Sequence, residues 1–482
     1  MMRYRLLTVT SSLILSFGLC YADSNDQNYY NLKQVYNIAS EHNATYQAAF
    51  ETFKANIEGV GIARGALLPN VGVTSQFNYN YTNQATAGQK EWYFSNVNTA
   101  TLSQVLFDFG LWSTYSQAQY QAKADAITYD TARQTLIIDV ASAYFNILQA
   151  EDNLAYNQAS QQWNAELLKQ TQQKYDVGLA AITDVQSTKA NYEQSVADTV
   201  QAKNNLENSY EALAQITGTM IIDVMPLKNN FPFAKPEPTN MQKWVDTAMK
   251  KNLNIVSNQF LTEVSKEGID IAWGNFLPSV TGTATASRSD SYQQNPDEVT
   301  NTASLTATGT WNLLNGGSDY ATLKQSKYTL KSSQYTLKQS ERDAQSLVRQ
   351  AYLTVMSDIS QVSAYEQAVI ANESSLKAMR AQYNVGTSTI VDLLNQQQLL
   401  LQAQQEYAQS KYAYINDMLT LKQQAGTLAP QDLYSINQWL GLAAKTDQSK
   451  SKDTMSLPNS KMIDKKSPDN KETNKTTNNT QS

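Results

Sequence analysis

Apolar side chains recur along this chain in two rhythms. Along Val348, Tyr352, Val355, Ile359, Val362, Tyr365, Val369, Leu376, Met379 and Tyr383 the steps are mostly fours and threes. That spacing predicts a long helix with a narrow coiled-coil seam, its winding altered locally by the short step from Val362 to Tyr365. An earlier line, Val140, Tyr144, Ile147, Leu154, Leu168 and Tyr175, has the same character but carries Glu151 and Gln161 among its apolar members. Elsewhere the period is two. Val71, Val73, Phe77, Tyr79 and Tyr81 alternate with polar residues, which predicts a strand with one apolar face. A turn-rich stretch, Thr82 to Lys90, leads to Trp92, Tyr93 and Phe94 and then a second strand over about 95–107. Strands over 280–288 and 302–311, parted by a loop with Asn295 and Pro296, show a weaker alternation of Thr, Ala and Gly. Helices are predicted before each strand pair, over about 31–66 and 241–275, each ending at a Leu-Pro step.

The two rhythms occur twice, in the same order. Val140, Ala143, Tyr144 and Ile147 recur as Val348, Ala351, Tyr352 and Val355, an offset of 208 residues. Tyr175, Val177, Gly178 and Asp184 recur at the same offset as Tyr383, Val385, Gly386 and Asp392, and Gly218 as Gly426. Between Gly110 and Gly178, and between Gly317 and Gly386, there is neither Gly nor Pro. Unbroken helices of that length run roughly 100 Å. They form a rod or a tube, not a compact globule. The reading divides the chain into a first repeat, 23–218, a Pro-rich linker, 219–240, and a second repeat, 241–426. A closing segment, 427–444, packs near the tube's middle, and a polar tail, 445–482, is predicted to be disordered.

Composition narrows the classes. Arg3 and Arg5, the apolar run from Leu6 to Leu19 and the small Ala22 make residues 1–22 a secretory signal; on that reading Cys20 leaves with it. No other stretch approaches 18 consecutive apolar residues, so any membrane-embedded part is a β-barrel. Each repeat offers two strands, and four strands cannot close a membrane barrel. A barrel reading therefore requires an oligomer, and three copies would supply twelve strands. The cluster Trp92, Tyr93 and Phe94 suits a membrane-interface girdle, though a hydrophobic patch on a soluble hairpin would look the same. Residues 23–444 hold 27 basic and 38 acidic side chains, which argues against nucleic acid as a partner. A single histidine, His42, removes the usual zinc sets and histidine-based triads. No phosphate-binding or dinucleotide motif is present, so no cofactor and no enzymatic activity are expected. Two readings remain from the residues: a membrane duct, or a soluble periplasmic coiled-coil protein with a structural or adaptor role.

The motifs themselves resemble the TolC family of outer-membrane channel proteins. The resemblance spans about 31–440. It rests on Val177, Gly178, Ile182, Thr183, Asp184, Val185 and Gln186, on Val385, Gly386, Thr389, Ile390, Val391 and Asp392, on Gly218, and on the two Leu-Pro strand starts. It implies a mainly α fold with a β-barrel part: a duplicated helix-strand-strand-helix-helix unit in a homotrimer. A 12-stranded barrel in the Gram-negative outer membrane would continue into a 12-helix barrel across the periplasm. The implied role is a passive exit duct for tripartite efflux or type I secretion. The implied partners are outer-membrane lipid, a periplasmic adaptor and an inner-membrane transporter of RND, ABC or MFS type. Adaptor contact would fall at Val177, Gly178, Leu179, Val385, Gly386 and Thr387. The gate would involve Asp184, Tyr383 and Ser388, and the pore aperture Asp392 and Asn395, with a cation held at the Asp392 ring. Two departures stand out. The aperture's second aspartate is Asn395, and the gate's basic residue is Ser388. Thr183 with Gln186 and Thr389 with Asp392 read as capping boxes that start the return helices.

Overall fold

The computed structural model describes residues 29–84, 89–228, 231–291 and 299–441. The signal reading of 1–22, the tail 445–482 and the loop with Asn295 and Pro296 lie outside the described residues. Nine helices and four strands are described: α1 Leu32–His42, α2 Ala44–Gly65, β1 Asn70–Gln84, β2 Gln89–Phe107, α3 Phe109–Asp176, α4 Ile182–Thr217, α5 Met241–Lys251, α6 Leu253–Gly274, β3 Ser279–Ser291, β4 Val299–Thr310, α7 Ser318–Asn384, α8 Ile390–Gln424 and α9 Pro430–Asn437. The offset between repeats is not constant. Asn31, Asn43 and Asp108, which cap α1, α2 and α3, correspond to Asn240, Asn252 and Gly317 at 209 residues, whereas the tips stand 208 apart. The long helix α3 holds 68 residues and α7 holds 67.

Each predicted leading helix is in fact two. Asn43, at φ −66° and ψ 112°, ends α1 and starts α2, its side chain accepting from the Tyr46 N–H. Asn252, at φ −60° and ψ 125°, does the same between α5 and α6, accepting from the N–H groups of Asn254 and Ile255. The remaining donors of both side chains reach the ends of other helices. Asn43 Nδ2 donates to Ile216 O at 2.9 Å, and Asn252 Nδ2 donates to Gln424 O at 2.8 Å. The starts of α2 and α6 are thereby bonded to the ends of α4 and α8. Orphan carbonyls of one helix face the orphan N–H end of the next, with their dipoles aligned. A Cβ on Gly426 would run into the Lys251 carbonyl, so the joint also needs a bare backbone there.

Two full-length helices, α3 and α7, are thus matched by two stacks of shorter ones. Above the joints α2 packs on α3, α3 on α6 and α6 on α7; below them α4 packs on α3, α3 on α8 and α8 on α7. The main core lies at the level of the joints. There Val140, Tyr144, Ile147, Val348 and Val355 are fully buried with Leu32, Val35, Leu213 and Leu433. Tyr144 OH donates to Met225 O at 2.7 Å and Tyr352 OH donates to Thr239 O, so the duplicated tyrosines hold the two ends of the inter-repeat segment. The closing segment binds here as well, through Lys228 N–H to Trp439 O and an ion pair of Lys422 with Asp432 at 2.6 Å.

Below this core the contacts turn polar. Asn157, Ser160, Asn164, Thr171, Thr188, Ser195, Gln396 and Gln397 are buried there, beside the apolar Val185, Leu400 and Leu401. A second, small apolar cluster closes the far end: Leu167, Ile390, Leu393 and Leu394, flanked by Trp163, Leu376, Met379 and Tyr383. The seam position there is Leu167, and the Leu168 of the sequence reading is only half-buried.

The strands form one antiparallel sheet, β1-β2-β3-β4. Both hairpins are longer than the alternation suggested, and the cluster 92–94 lies within β2 instead of ahead of it. The weak alternation in the second hairpin resolves into two faces. Ala284, Ala286, Ala303 and Leu305 share one face with Val71, Val73, Ala100 and Leu102, while Thr283, Thr285, Ser304 and Thr306 share the other with Thr99 and Thr101. The two outer strands have no strand partner on one edge, and every residue of β4 is exposed.

Two stability predictions follow from the middle of the molecule. Asn252→Ala removes an N-cap and strands a carbonyl, costing about 1–2 kcal/mol. Because Asn252 is 4% exposed and Asn43 is half-buried, the loss exceeds that of Asn43→Ala; thermal melts of detergent-purified protein read both, and equal shifts would refute the ranking. Asp358 of α7, 7% exposed, is hydrogen-bonded to Asp417 of α8. Burial, then the Asp417 charge, push its carboxyl up to about 7. The folded state therefore keeps this proton from about pH 4 to 7 where the unfolded chain does not, and the associated stability is lost as pH rises through that interval. Asp358→Asn, which keeps a donor without the charge, raises the melting temperature at pH 8 more than at pH 5. Equal shifts at the two pH values would contradict this.

Candidate functional site

The far ends of the long helices are built by the same turn twice. After α3, Gly178 takes φ +78°, its N–H bonds Tyr175 O at 2.9 Å and the Leu179 N–H bonds Lys174 O at 2.7 Å. After α7, Gly386 takes φ +77°, its N–H bonds Tyr383 O at 3.2 Å and the Thr387 N–H bonds Gln382 O at 3.0 Å. This paired bonding is the Schellman ending, and its left-handed residue favours glycine. The turns thrust apolar side chains into solvent: Val177 is 70% exposed, Leu179 78% and Val385 75%. Thr387 is exposed beside them. Each tip thus carries exposed apolar side chains at the end of a long hairpin.

The return helices start differently. Thr389 caps α8 with a complete box: its hydroxyl accepts from the Asp392 N–H at 3.2 Å, and Asp392 Oδ2 accepts from the Thr389 N–H at 3.0 Å. The Thr389 hydroxyl, then its backbone N–H, hold the exposed Asp392 carboxyl below the usual range. The first return helix is capped by Ala181, not by the Thr183 expected from sequence. Alanine has no acceptor, so only half of a box remains, with Asp184 Oδ2 accepting from the Ala181 N–H at 3.4 Å. The pattern of Thr183 with Gln186 misled because helix geometry starts α4 two residues earlier.

Asp392 and Asn395 are both exposed, one turn apart, on the side of α8 away from the buried Leu393 and Leu394. Tyr383 sits in the tip cluster under the ammonium of Lys174, 4.4 Å from its ring centre. Ser388 Oγ lies 2.9 Å from Met379 Sδ and 3.4 Å from Asp392 Oδ2. The structure thus brings Tyr383, Ser388 and Asp392 to one tip. Asp184 stands on the other hairpin, and among the described residues no ion pair joins it to a base.

At the opposite end, Trp92 and Phe94 stack with Tyr79 at 5.0 and 4.6 Å, and Tyr81 lies 4.8 Å from Trp92. These four rings share the apolar face, and Tyr93 takes the other. A second aromatic level, missed in the sequence reading, marks the junction of sheet and helices: Phe107, Trp112, Trp273 and Trp311, all exposed. Its signal was the tryptophans placed just where strand pattern meets helix pattern. Two aromatic levels bracketing an apolar sheet face are the mark of a membrane β-sheet. No described helix is long and apolar enough to cross a membrane.

An apolar-faced sheet between aromatic levels, carried on paired helices of roughly 100 Å with apolar tips, defines an outer-membrane channel protein. The chain belongs to the outer membrane efflux protein family, whose profile matches residues 35–219 and 244–427. It is 34% identical over 431 residues to the outer membrane protein TolC of Escherichia coli K12, covering 86% of each chain. It is 26% identical to the alkaline protease secretion protein AprF of Pseudomonas aeruginosa, over 83% of this chain and 85% of that one. Its fold matches the Campylobacter jejuni CmeC outer membrane channel with a TM-score of 0.72 at 18% identity, over 89% of this chain and 95% of that chain. The outer membrane is its location, and the family resemblance read from the motifs is correct.

The asymmetry of the two caps gives a test. Ala181→Ser completes the first box and stabilises the start of α4 by about 1 kcal/mol, while Thr389→Ala weakens the start of α8 by a similar amount. Hydrogen exchange of the amides at 182–185 and 390–393 reads the two effects. Unchanged rates in both variants would remove the capping account.

Proposed function

We propose that the chain assembles as a homotrimer forming a passive exit duct, with no catalysis of its own. What supports this most is a coincidence of bare edges. In the sheet, β1 and β4 lack outer partners; in the upper helical wall, α2 and α7 are the outermost members. α2 runs into β1 and β4 runs into α7, so a single side of the protomer is open at α2-β1 and the other at α7-β4. A head-to-tail ring of copies covers both edges at once. Three copies give twelve strands, which close a membrane barrel, and twelve helices, which close a tube. The exposed Tyr320, Tyr328 and Tyr335, seven or eight residues apart on α7, would meet the next copy. In this ring the Thr- and Ser-rich face lines the bore, and the apolar face, with Trp92 and Phe94 near its outer level, meets outer-membrane lipid.

The tips then point into the periplasm. Val177, Gly178, Leu179, Val385, Gly386 and Thr387 form the surface for a periplasmic adaptor, which links the duct to an inner-membrane transporter of RND, ABC or MFS type. The cargo is drugs, secreted protein or both. Asp184, Tyr383 and Ser388 belong to the gate. Asp392 and Asn395 would ring the aperture three-fold, and the repulsion among three aspartates is relieved by a bound cation or a proton.

Native mass spectrometry of detergent-purified protein tests the assembly. A trimer is expected, and a monomer with full β content would overturn the ring. Planar-bilayer recordings test the aperture. A divalent or trivalent cation added on the tip side should block the channel, Asp392→Asn should relieve most of the block, and Asn395→Asp should deepen it. Block unaffected by Asp392→Asn would leave that residue with its capping role alone.

A further inference from the structure

We propose that Lys174 is the clasp of the second hairpin: its ammonium, lying on the ring of Tyr383, fastens the tip of α7 to α3 of the same chain. The inference deepens the export-duct reading given above and rests on it for its consequence, though not for its geometry. Lys174 is the third helical residue from the end of α3, and its carbonyl already serves the Schellman turn, accepting from Leu179. The backbone there is therefore fixed, and the side chain leaves it in a defined direction. Its Nζ lies 4.4 Å from the centre of the Tyr383 ring. Both residues are half-buried, and Tyr383 packs with the tip cluster of Leu167 of α3 and Ile390, Leu393 and Leu394 of α8. An ammonium over an aromatic face is attracted by the negative face of the ring, more so where water is partly excluded. Among the described residues Lys174 forms no ion pair, so no carboxylate competes for this charge.

The repeat supplies an internal comparison. At the 208-residue offset Tyr383 corresponds to Tyr175 and Lys174 to Gln382. The first hairpin thus has the tyrosine without a matching cation, and its Tyr175 is 40% exposed. Among the described residues only the second tip is held by a charge from the other hairpin. That tip is also the one where the expected base is missing, since Ser388 turns to Met379 and Asp392. A cation arriving from α3 supplies a contact that Ser388 has no charge to make. Any displacement of the α7 tip away from α3 breaks the ring contact of Lys174. The clasp sets the resting position of the tip, and Lys174 acts as a positioning residue through Tyr383.

The test uses full-length, detergent-purified protein and two readouts. Lys174→Met keeps the apolar stem and removes the charge; Lys174→Arg keeps a cation able to lie on the ring. Hydrogen exchange of the amides at 383–389 should speed several-fold in Lys174→Met and stay near the native rate in Lys174→Arg. Combining Lys174→Met with Tyr383→Leu should add little to either alone, as expected for partners in one contact. In planar bilayers the resting conductance of Lys174→Met should rise in parallel. Native exchange rates in Lys174→Met, or the same acceleration in Lys174→Arg, would overturn the clasp. Absence of any conductance from the unsubstituted protein would instead sink the duct reading, and the exchange experiment would still decide the clasp.

Discussion

Everything in this molecule hangs on joining helices end to end. A wall of even height needs every position around it filled for roughly 100 Å, yet each repeat has one helix of that length and must return through the middle to reach its strands. The solution is to end α4 and α8 where α2 and α6 begin. An asparagine at each joint caps the upper helix with its oxygen and binds the lower helix with its nitrogen. Both ends would otherwise present unpaired backbone groups at a crowded level. The short helices α1 and α5, the inter-repeat segment and the closing segment are then free to pack around the joints, where the buried apolar core is concentrated.

The sheet answers a different constraint. With no described helix apolar enough to enter a bilayer, the four strands must carry the membrane-facing surface, and their alternation places Val, Leu, Ala and aromatics on one side against Thr and Ser on the other. This explains how an outer-membrane protein can be so polar overall: only alternate residues on four strands need to be apolar. The aromatic levels at 79–94 and at the junction tryptophans lie at the two ends of that face.

Much of this was legible in the chain before any coordinates. The absence of Gly and Pro over two long stretches announced α3 and α7, and the glycines ending them marked the tips, because a Schellman turn demands a left-handed residue that few others supply. The joints were not legible. Asn43 and Asn252 interrupt helical pattern without a Gly or Pro, and their reason lies in carbonyls more than 170 residues away. Ala181 as a cap was hidden for the converse reason, since a better capping residue, Thr183, stood two places on. The Lys174 contact with Tyr383 depends on how one hairpin lies against the other, which no local spacing encodes. The second strand pair read weakly because small residues, Ala and Gly, make up its apolar face.

The amide-lined contacts between the equatorial core and the tips carry one more consequence. Hairpins held together by apolar side chains pay a hydration penalty proportional to area when they separate. Asn157, Asn164, Gln396 and Gln397 offer little such area, and exposure would let water hydrate the side-chain oxygens of Asn164 and Gln397, which have no partner in the folded chain. Separating the helices at these positions would therefore cost less than separating the same length of an all-apolar contact. Apolar adhesion in the lower half is left to Val185, Leu400, Leu401 and the small cluster at the end. The cohesion of the molecule is thus graded, strongest at the joints and weakest among the buried amides between them and the tips.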